Sequence, residues 1–275
     1  MTVHTSRAKG AVSHVFLIGF AVTALFPLVL VGLNSLKLST QVTKNPLSAP
    51  KSLTWSNFKE AWQYGHFGHG FINSLFLTAT TVVVLLICSS LAGYVLAGKK
   101  IRTWPAIMIY FMVSMTVPIQ LFLFPLYFGF AHLHALGNVF AVGVVIAAMN
   151  MPLSVFLMRT FFLNVPRELE EAALIDGAST SQLMWQVMLP IVSPGLITVA
   201  IISGLNAWNE FLISSTFLQG NYTATLGYLS MNGTFSTNQG VMMAGAVILI
   251  VPVVIVFVIL QRYVVDGLVS GSVKG

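Results

Sequence analysis

The chain has 275 residues, of which 56% are apolar and 7% charged. Soluble globular proteins carry roughly a quarter of their residues as charges, so an ordinary soluble enzyme or binding module is excluded and the bilayer is the chain's solvent. A net charge of +6 would suit nucleic acid in a soluble protein. In a membrane chain it reports Lys and Arg gathered in the loops of one side, and no nucleic-acid partner is expected.

Arg7 and Lys9 precede an apolar run over 14–33, close to the ~20 residues that cross the hydrocarbon core. A secretory signal starts in the same way, but this run is too long and lacks a small-x-small cleavage site, so it is read as the first span. Residues 37–70 are polar, with Pro46 and Pro50, and are expected to form the longest water-exposed loop. Further spans are expected over 71–97, 104–131, 139–162, 195–218 and 241–260, making six in one polytopic domain over 1–275. Cys88, the one cysteine, lies in an apolar run where it should pack as a small hydrophobe. Pro118 and Pro125 are expected to interrupt the third span and Pro152 the fourth. Broken helices often line a substrate pathway, which makes Pro118 and Gln120 pathway candidates, although proline is also simply commoner in membrane helices.

With the N-terminus inside, the inner side receives Arg7, Lys9, Lys99, Lys100, Arg102, Arg159, Arg167, Arg262 and Lys274, and the outer side Lys37, Lys44, Lys51 and Lys59. Nine against four places both termini and the loop 164–194 in the cytoplasm.

That loop is the longest charged interruption in the second half of the chain. Pro166 suits a first helical position, Glu168, Glu170 and Glu171 put negative charge on the helix start, and Gly177 can take the left-handed conformation that ends a helix. Ser179 with Gln182 makes a capping box for a second helix, which carries Leu183, Val187 and Met188 at helical spacing before Pro190 closes it. Leu169, Ala172 and Ala173 share a small, flat face suited to another protein's groove. An amphipathic helix lying on the membrane surface has the same pattern, but Arg167 stands alone against four acids, Glu168, Glu170, Glu171 and Asp176, and fits an anionic bilayer poorly.

Glu171-Ala172-Ala173, then Gly177, Val187 and Leu189-Pro190, resembles the EAA loop of permease subunits in bacterial ATP-binding-cassette importers. The segment 206–211, Asn206 to Phe211, and the tail Gln261-Arg262-Tyr263, Gly267-Leu268 and 271–275 resemble the shorter permease subunit of maltose-type carbohydrate importers. The resemblance implies an all-α polytopic membrane protein of six transmembrane helices with a cytoplasmic helix-turn-helix coupling loop. It implies that Glu171, Ala172, Ala173, Asp176, Gly177, Leu189 and Pro190 couple the chain to a separate ATPase. The implied partners are a homologous second permease, an ATPase dimer, an extracytoplasmic solute-binding protein, a sugar substrate and the lipid bilayer. The implied location is the bacterial cytoplasmic membrane, crossed several times.

Glu210 is the only carboxylate inside the expected spans. An ionisable group at membrane depth is a functional candidate, and Trp208, Asn209 and Glu210 together resemble a sugar-handling set that forms part of a pathway or gate. Asn209 and Glu210 tying their helix to a neighbour by buried hydrogen bonds is the equal alternative. Ser230, Asn232 and Thr234 fall in an expected outer loop, 219–240, that by resemblance probes a docked binding protein or else is a plain connector.

Gly93 to Lys100 nearly spells a phosphate-binding P-loop. Lys100 stands where a magnesium-binding Ser or Thr is required, and the segment ends a membrane helix, so ATP is expected to bind another chain. His66, His69, His132 and His134 lie in two outer loops without a carboxylate or Cys cluster, so no metal and no cofactor are expected. The chain is therefore expected to be a transport subunit without catalytic residues, importing a mono- or oligosaccharide by alternating access. A polyol, glycerol phosphate or amino acid cargo, an ion-coupled secondary carrier and a structural membrane factor are the alternatives.

Overall fold

Hydrocarbon offers no partner to a backbone N–H or C=O, so a chain this apolar crosses it as helices, and there is no strand among the described residues. The computed structural model describes the backbone of 7–98, 101–234 and 238–272 and the side chains of 13–98, 101–233 and 238–261. Lys99, Lys100, Val273, Lys274 and Gly275 lie outside the described residues, as do the side chains of Arg7, Lys9, Thr234, Arg262, Tyr263 and Leu268.

Four helices are long and apolar enough to cross a bilayer. They are Ser13–Ser35 within α1 (Arg7–Ser35), α4 (Phe67–Ala97), α7 (Val139–Leu163) and Gln239–Gln261 within α14 (Gln239–Ser272). Two more are bent. α5 (Trp104–Ser114) meets the segment Ile119–His132 at 93°, and Thr180–Ile191 meets α11 (Ser193–Trp208) at 74°. With each bent pair taken as one crossing the total is up to six by length and composition, although the second pair includes Thr180–Ile191, which the sequence assigns to the loop 164–194.

The bends correct several expectations. Pro118 is extended (φ −68°, ψ 131°) and precedes a 3₁₀ turn, Ile119–Phe122, which leads into α6 (Leu123–His132), so it does break the third span. Pro125 and Pro152 do not. Pro125 is the third residue of α6, where backbone N–H groups have no intrahelical partner to lose. Pro152 is buried inside an uninterrupted α7. The expected fifth span, 195–218, is two helices: α11 stops at Trp208 and α12 (Leu212–Phe217) starts after a gap. Cys88 is exposed on α4 and does not pack inside the chain.

The described residues fall into two compact units, one from Met1–Phe67 and Gly227–Pro252, the other from Gly68–Leu226 and Val253–Gly275. In the first, the expected exposed loop 37–70 contains α2 (Ser39–Lys44) and α3 (Ser56–Tyr64) and closes over a fully buried Lys37. The Lys37 ammonium donates to the carbonyls of Asn45 (3.2 Å) and Pro46 (3.0 Å), just past the carbonyl end of α2, where positive charge is favoured. Asn57 Nδ2 donates to the carbonyls of Ser35 (2.8 Å) and Lys37 (2.9 Å), and Gln239 N donates to Ser39 Oγ (3.0 Å). The other expected loop, 219–240, contains α13 (Ala224–Thr234), in which Ser230 Oγ donates back to the Gly227 carbonyl.

In the second unit, α4, α7 and α11 carry two apolar clusters. One gathers Leu85, Ala147, Met158, Phe162, Leu183, Met184, Met188, Val192 and Val199. The other gathers Leu77, Phe130, Val142, Ile146, Ala207, Ile213, Phe217 and Leu218. Thr81 Oγ1 donates to the Gly143 carbonyl (3.0 Å) and holds α4 against α7 between them.

A Cβ added at Gly240 would lie 2.5 Å from the Lys37 carbonyl oxygen and 2.7 Å from Asn57 Nδ2, whereas one at Gly32 meets nothing within 4 Å. Gly240→Ala is therefore expected to lower the melting temperature of the detergent-purified chain by several degrees, and Gly32→Ala to leave it level or raise it. Equal melting temperatures for the two variants would contradict this packing of the first unit.

Candidate functional site

The loop 164–194 folds as a two-helix arm. Pro166 is extended (φ −59°, ψ 136°) and is the cap, one position before the helix start expected for it, so α8 runs Arg167–Ile175 with Glu168 and Glu170 in its first turn. Its end is a Schellman motif: Ala178 N donates to the Ala173 carbonyl (3.0 Å) and Gly177 N to the Leu174 carbonyl (3.1 Å). This turn requires Gly177 at φ +83°, a left-handed conformation that costs a side-chain-bearing residue about 1–2 kcal/mol. The capping box is formed, with Gln182 N donating to Ser179 Oγ (3.3 Å) and Ser179 N to Gln182 Oε1 (2.9 Å). The second helix runs from α9 (Thr180–Gln182) through a widened π segment, Leu183–Met188, into α10 (Leu189–Ile191). Pro190 sits inside that last turn and does not end it; the break falls at Val192.

The two helices of the arm are treated differently. Leu183, Met184 and Met188 of the second are buried in the apolar cluster, with Leu189 packed partly against it. α8 buries no residue at all, and it leaves Ile175 86% exposed and Leu169 and Leu174 about half exposed. Glu171, Ala172 and Asp176 are on its open surface, while Ala173 turns toward the cluster, so the expected shared face of Leu169, Ala172 and Ala173 is split. Glu170 also turns inward. Its carboxylate accepts a hydrogen bond from the Tyr94 hydroxyl (3.0 Å) near the end of α4, and the Tyr94 ring packs edge-on to Phe162 at 5.5 Å. Between them opens a cavity of about 770 Å³, lined by Tyr94, Gly98, Arg167, Glu170, Glu171 and Thr180 among others.

The second group of candidates lies at the two breaks. Ile119, beside exposed Pro118 and Gln120, packs on the same apolar cluster as Ala207 and Ile213, which flank the gap between α11 and α12. The structure thus brings both breaks onto one core. Glu210 sits in the gap between α11 and α12 and joins the two. It accepts hydrogen bonds from Ile213 N (2.7 Å), Ser214 N (2.8 Å) and Ser214 Oγ (2.8 Å), which caps the start of α12. Asn209 Nδ2 donates to the Leu205 carbonyl of its own helix (2.8 Å), with no bond to a neighbouring helix among the described residues. The Trp208 ring leans on Phe71 (5.9 Å), its carbonyl accepts from Thr225 Oγ1 (2.8 Å), and its Nε1 is buried with no acceptor among the described residues.

One pair was missed in the sequence. Asn206 Nδ2 donates to Asn150 Oδ1 (3.0 Å), joining α11 to the middle of α7. A lone amide at the centre of a 25-residue apolar span was the available signal. The histidines form no metal-binding group of three or more with Cys, Asp or Glu among the described residues.

An all-helical bundle with bent crossings and a protruding two-helix arm is the build of a membrane permease, and the comparisons with known proteins agree. Residues 86–269 match the family described as the binding-protein-dependent transport system inner membrane component, and the chain belongs to that family. It is 33% identical to the arabinooligosaccharides transport system permease protein AraQ of Halalkalibacterium halodurans, over 98% of this chain and 99% of that protein. It is 34% identical to the melibiose/raffinose/stachyose import permease protein MelC of Bacillus subtilis, over 82% of this chain and 83% of that one. Its fold is similar to a chain in the crystal structure of a bacterial ABC transporter involved in import of the acidic polysaccharide alginate, with TM-score 0.77, 26% identity, and 96% and 99% of the two chains covered. The chain is a multi-pass permease subunit of an ATP-binding-cassette importer, a transport component and not an enzyme.

Glu210→Gln leaves one acceptor oxygen where two now serve three donors, a loss of about 1–2 kcal/mol by the measure of helix caps. The variant is expected to melt a few degrees lower and to lose transport only in proportion to lost folded protein. Unchanged melting with abolished transport would assign Glu210 a direct part in solute passage.

Proposed function

We propose that the chain is one half of a translocation pore that imports a mono- or oligosaccharide across a bacterial cytoplasmic membrane, working as a single permease domain over 1–275. The single observation that carries the coupling part is α8, a helix with no buried residue and with Leu169, Leu174 and Ile175 open, mounted on a second helix that is buried. A surface of that kind suits a socket on another protein. In this reading both termini and the arm are cytoplasmic, as the Lys and Arg distribution favours. α8 with Glu171, Ala172, Asp176 and Gly177 seats in one of two ATPase subunits. Leu189 and Pro190 root the arm in the bundle, and a homologous second permease completes the pore. An extracytoplasmic binding protein delivers the solute.

ATP binding brings the ATPase pair together and carries α8 with it. The inward-turned Glu170, bonded to Tyr94, passes the displacement to α4, and the shared cluster passes it to the breaks at Pro118 and Asn209. Hydrolysis in the partner resets the pore. Names of relatives such as AraQ and MelC support a carbohydrate cargo, against the polyol, glycerol phosphate or amino acid alternatives. Trp208, Asn209, Gln120 and Pro118 are the pathway candidates, with Glu210 holding the break open.

The test is purification of the tagged chain from its native host in mild detergent, followed by mass spectrometry. An ATPase and a second permease are expected with it. The chain recovered alone, with its stability verified, would overturn the assembly. Gly177→Val should reduce the recovered ATPase about 5- to 30-fold, the range that 1–2 kcal/mol commands; undiminished recovery would remove the Schellman turn from the docking account.

A further inference from the structure

Three amides lie on the packed pair α7 and α11, the last of them at the break after α11. Asn150 lies at the middle of α7, and Asn206 and Asn209 are three residues apart, and so on one side, at the end of α11. Asn206 and Asn209 are exposed and Asn150 is half-buried. Asn150 Nδ2 donates to the Ile146 carbonyl (2.9 Å) and Oδ1 accepts from Asn206 (3.0 Å). Asn206 Oδ1 and Asn209 Oδ1 have no partner among the described residues, and each of the three amides keeps one N–H to give. Asn150 is thirteen residues from Leu163, the end of α7, or about 20 Å along the helix, which is near the middle of a bilayer. Open amides at that depth face the pore or the second permease across it, since hydrocarbon leaves them unsatisfied.

The charges around them are equally informative. Residues 68–98, 104–158 and 193–226 contain no Lys or Arg. Their cationisable side chains are His69 in the first turn of α4 and His132 and His134 at the end of α6. In transporters with broken helices an anionic solute is met by the free amides of a half-helix. Here the amides of Ile213 and Ser214 are already taken by Glu210. An anion at this break would meet the Glu210 carboxylate and no counter-cation, while a hydroxyl exchanges hydrogen bonds to water for bonds to amides at little cost.

We propose that Asn150, Asn206 and Asn209 form a hydroxyl-binding track that passes neutral glycans and rejects anionic ones. The inference rests on the carbohydrate reading above and narrows it. The acidic polysaccharide of the structurally similar transporter is accordingly not carried over to this chain.

The test feeds a mixture of enzymatic digests, neutral (starch, arabinan, chitin) and acidic (alginate, pectate), to the native host and to a strain lacking this chain, and follows depletion of each oligosaccharide by mass spectrometry. Chain-dependent depletion is expected for neutral glycans only. Asn206→Ala and Asn209→Ala, present at normal membrane levels, should each slow it at least fivefold. Asn209 bonds only its own helix, so that variant separates recognition from folding should Asn206→Ala prove unstable. Chain-dependent depletion of uronate oligosaccharides, or neutral uptake at wild-type rate in Asn209→Ala, would overturn the track and leave the carbohydrate reading standing. No chain-dependent depletion of any glycan would overturn the carbohydrate reading itself.

Discussion

A membrane gives an unpaired peptide group nowhere to go, and this constraint decides where the chain is able to bend. Departures from straight helix carry local compensations, and outside the membrane the arm uses the same devices: after α8 the orphan carbonyls are taken by a Schellman turn around Gly177, and the next helix starts with a reciprocal Ser179–Gln182 box. After α11 the orphan amides of α12 are taken by Glu210. At Pro118 the missing N–H needs no partner, and a 3₁₀ turn follows at once.

The same economy links the arm to the breaks. On α4, Leu85 belongs to one cluster and Leu77 to the other, and on α11 Val199 and Ala207 divide in the same way, each pair eight residues or about 12 Å apart. On α7, Ile146 and Ala147 serve the two clusters as neighbours. Close-packed side chains of this kind transmit strain because they resist compression. A displacement of α8 has a short route to the break at Asn209, through Glu170 and Tyr94 at one end and through the buried Leu183, Met184 and Met188 at the other.

Much of this was legible in the sequence, and what was not has physical reasons. The capping box, the glycine stop and the long apolar helices were legible because caps, left-handed turns and 20-residue apolar runs are local signals. The split of α11 from α12 was hidden because 195–218 is long and apolar enough overall to read as one span, and the sign of its break is a carboxylate whose partners are amides three and four residues on. Lys37 looked like a solvated loop lysine because its acceptors are main-chain carbonyls, which no sequence pattern marks. The pairing of Asn150 with Asn206 joins positions 56 residues apart, beyond the reach of periodicity.

The central claim is that the open face of α8 is the surface through which a partner ATPase drives the pore. With Cys88, the chain's single cysteine, first replaced by Ser, a cysteine at Ile175, 86% exposed, tests it directly by thiol cross-linking in native membranes. The account predicts a covalent adduct between Ile175→Cys and the ATPase whose yield changes when a nonhydrolysable ATP analogue is added, and none from a cysteine at buried Met184. An Ile175→Cys chain that cross-links to no ATPase, in membranes where the transporter imports its solute normally, would contradict it.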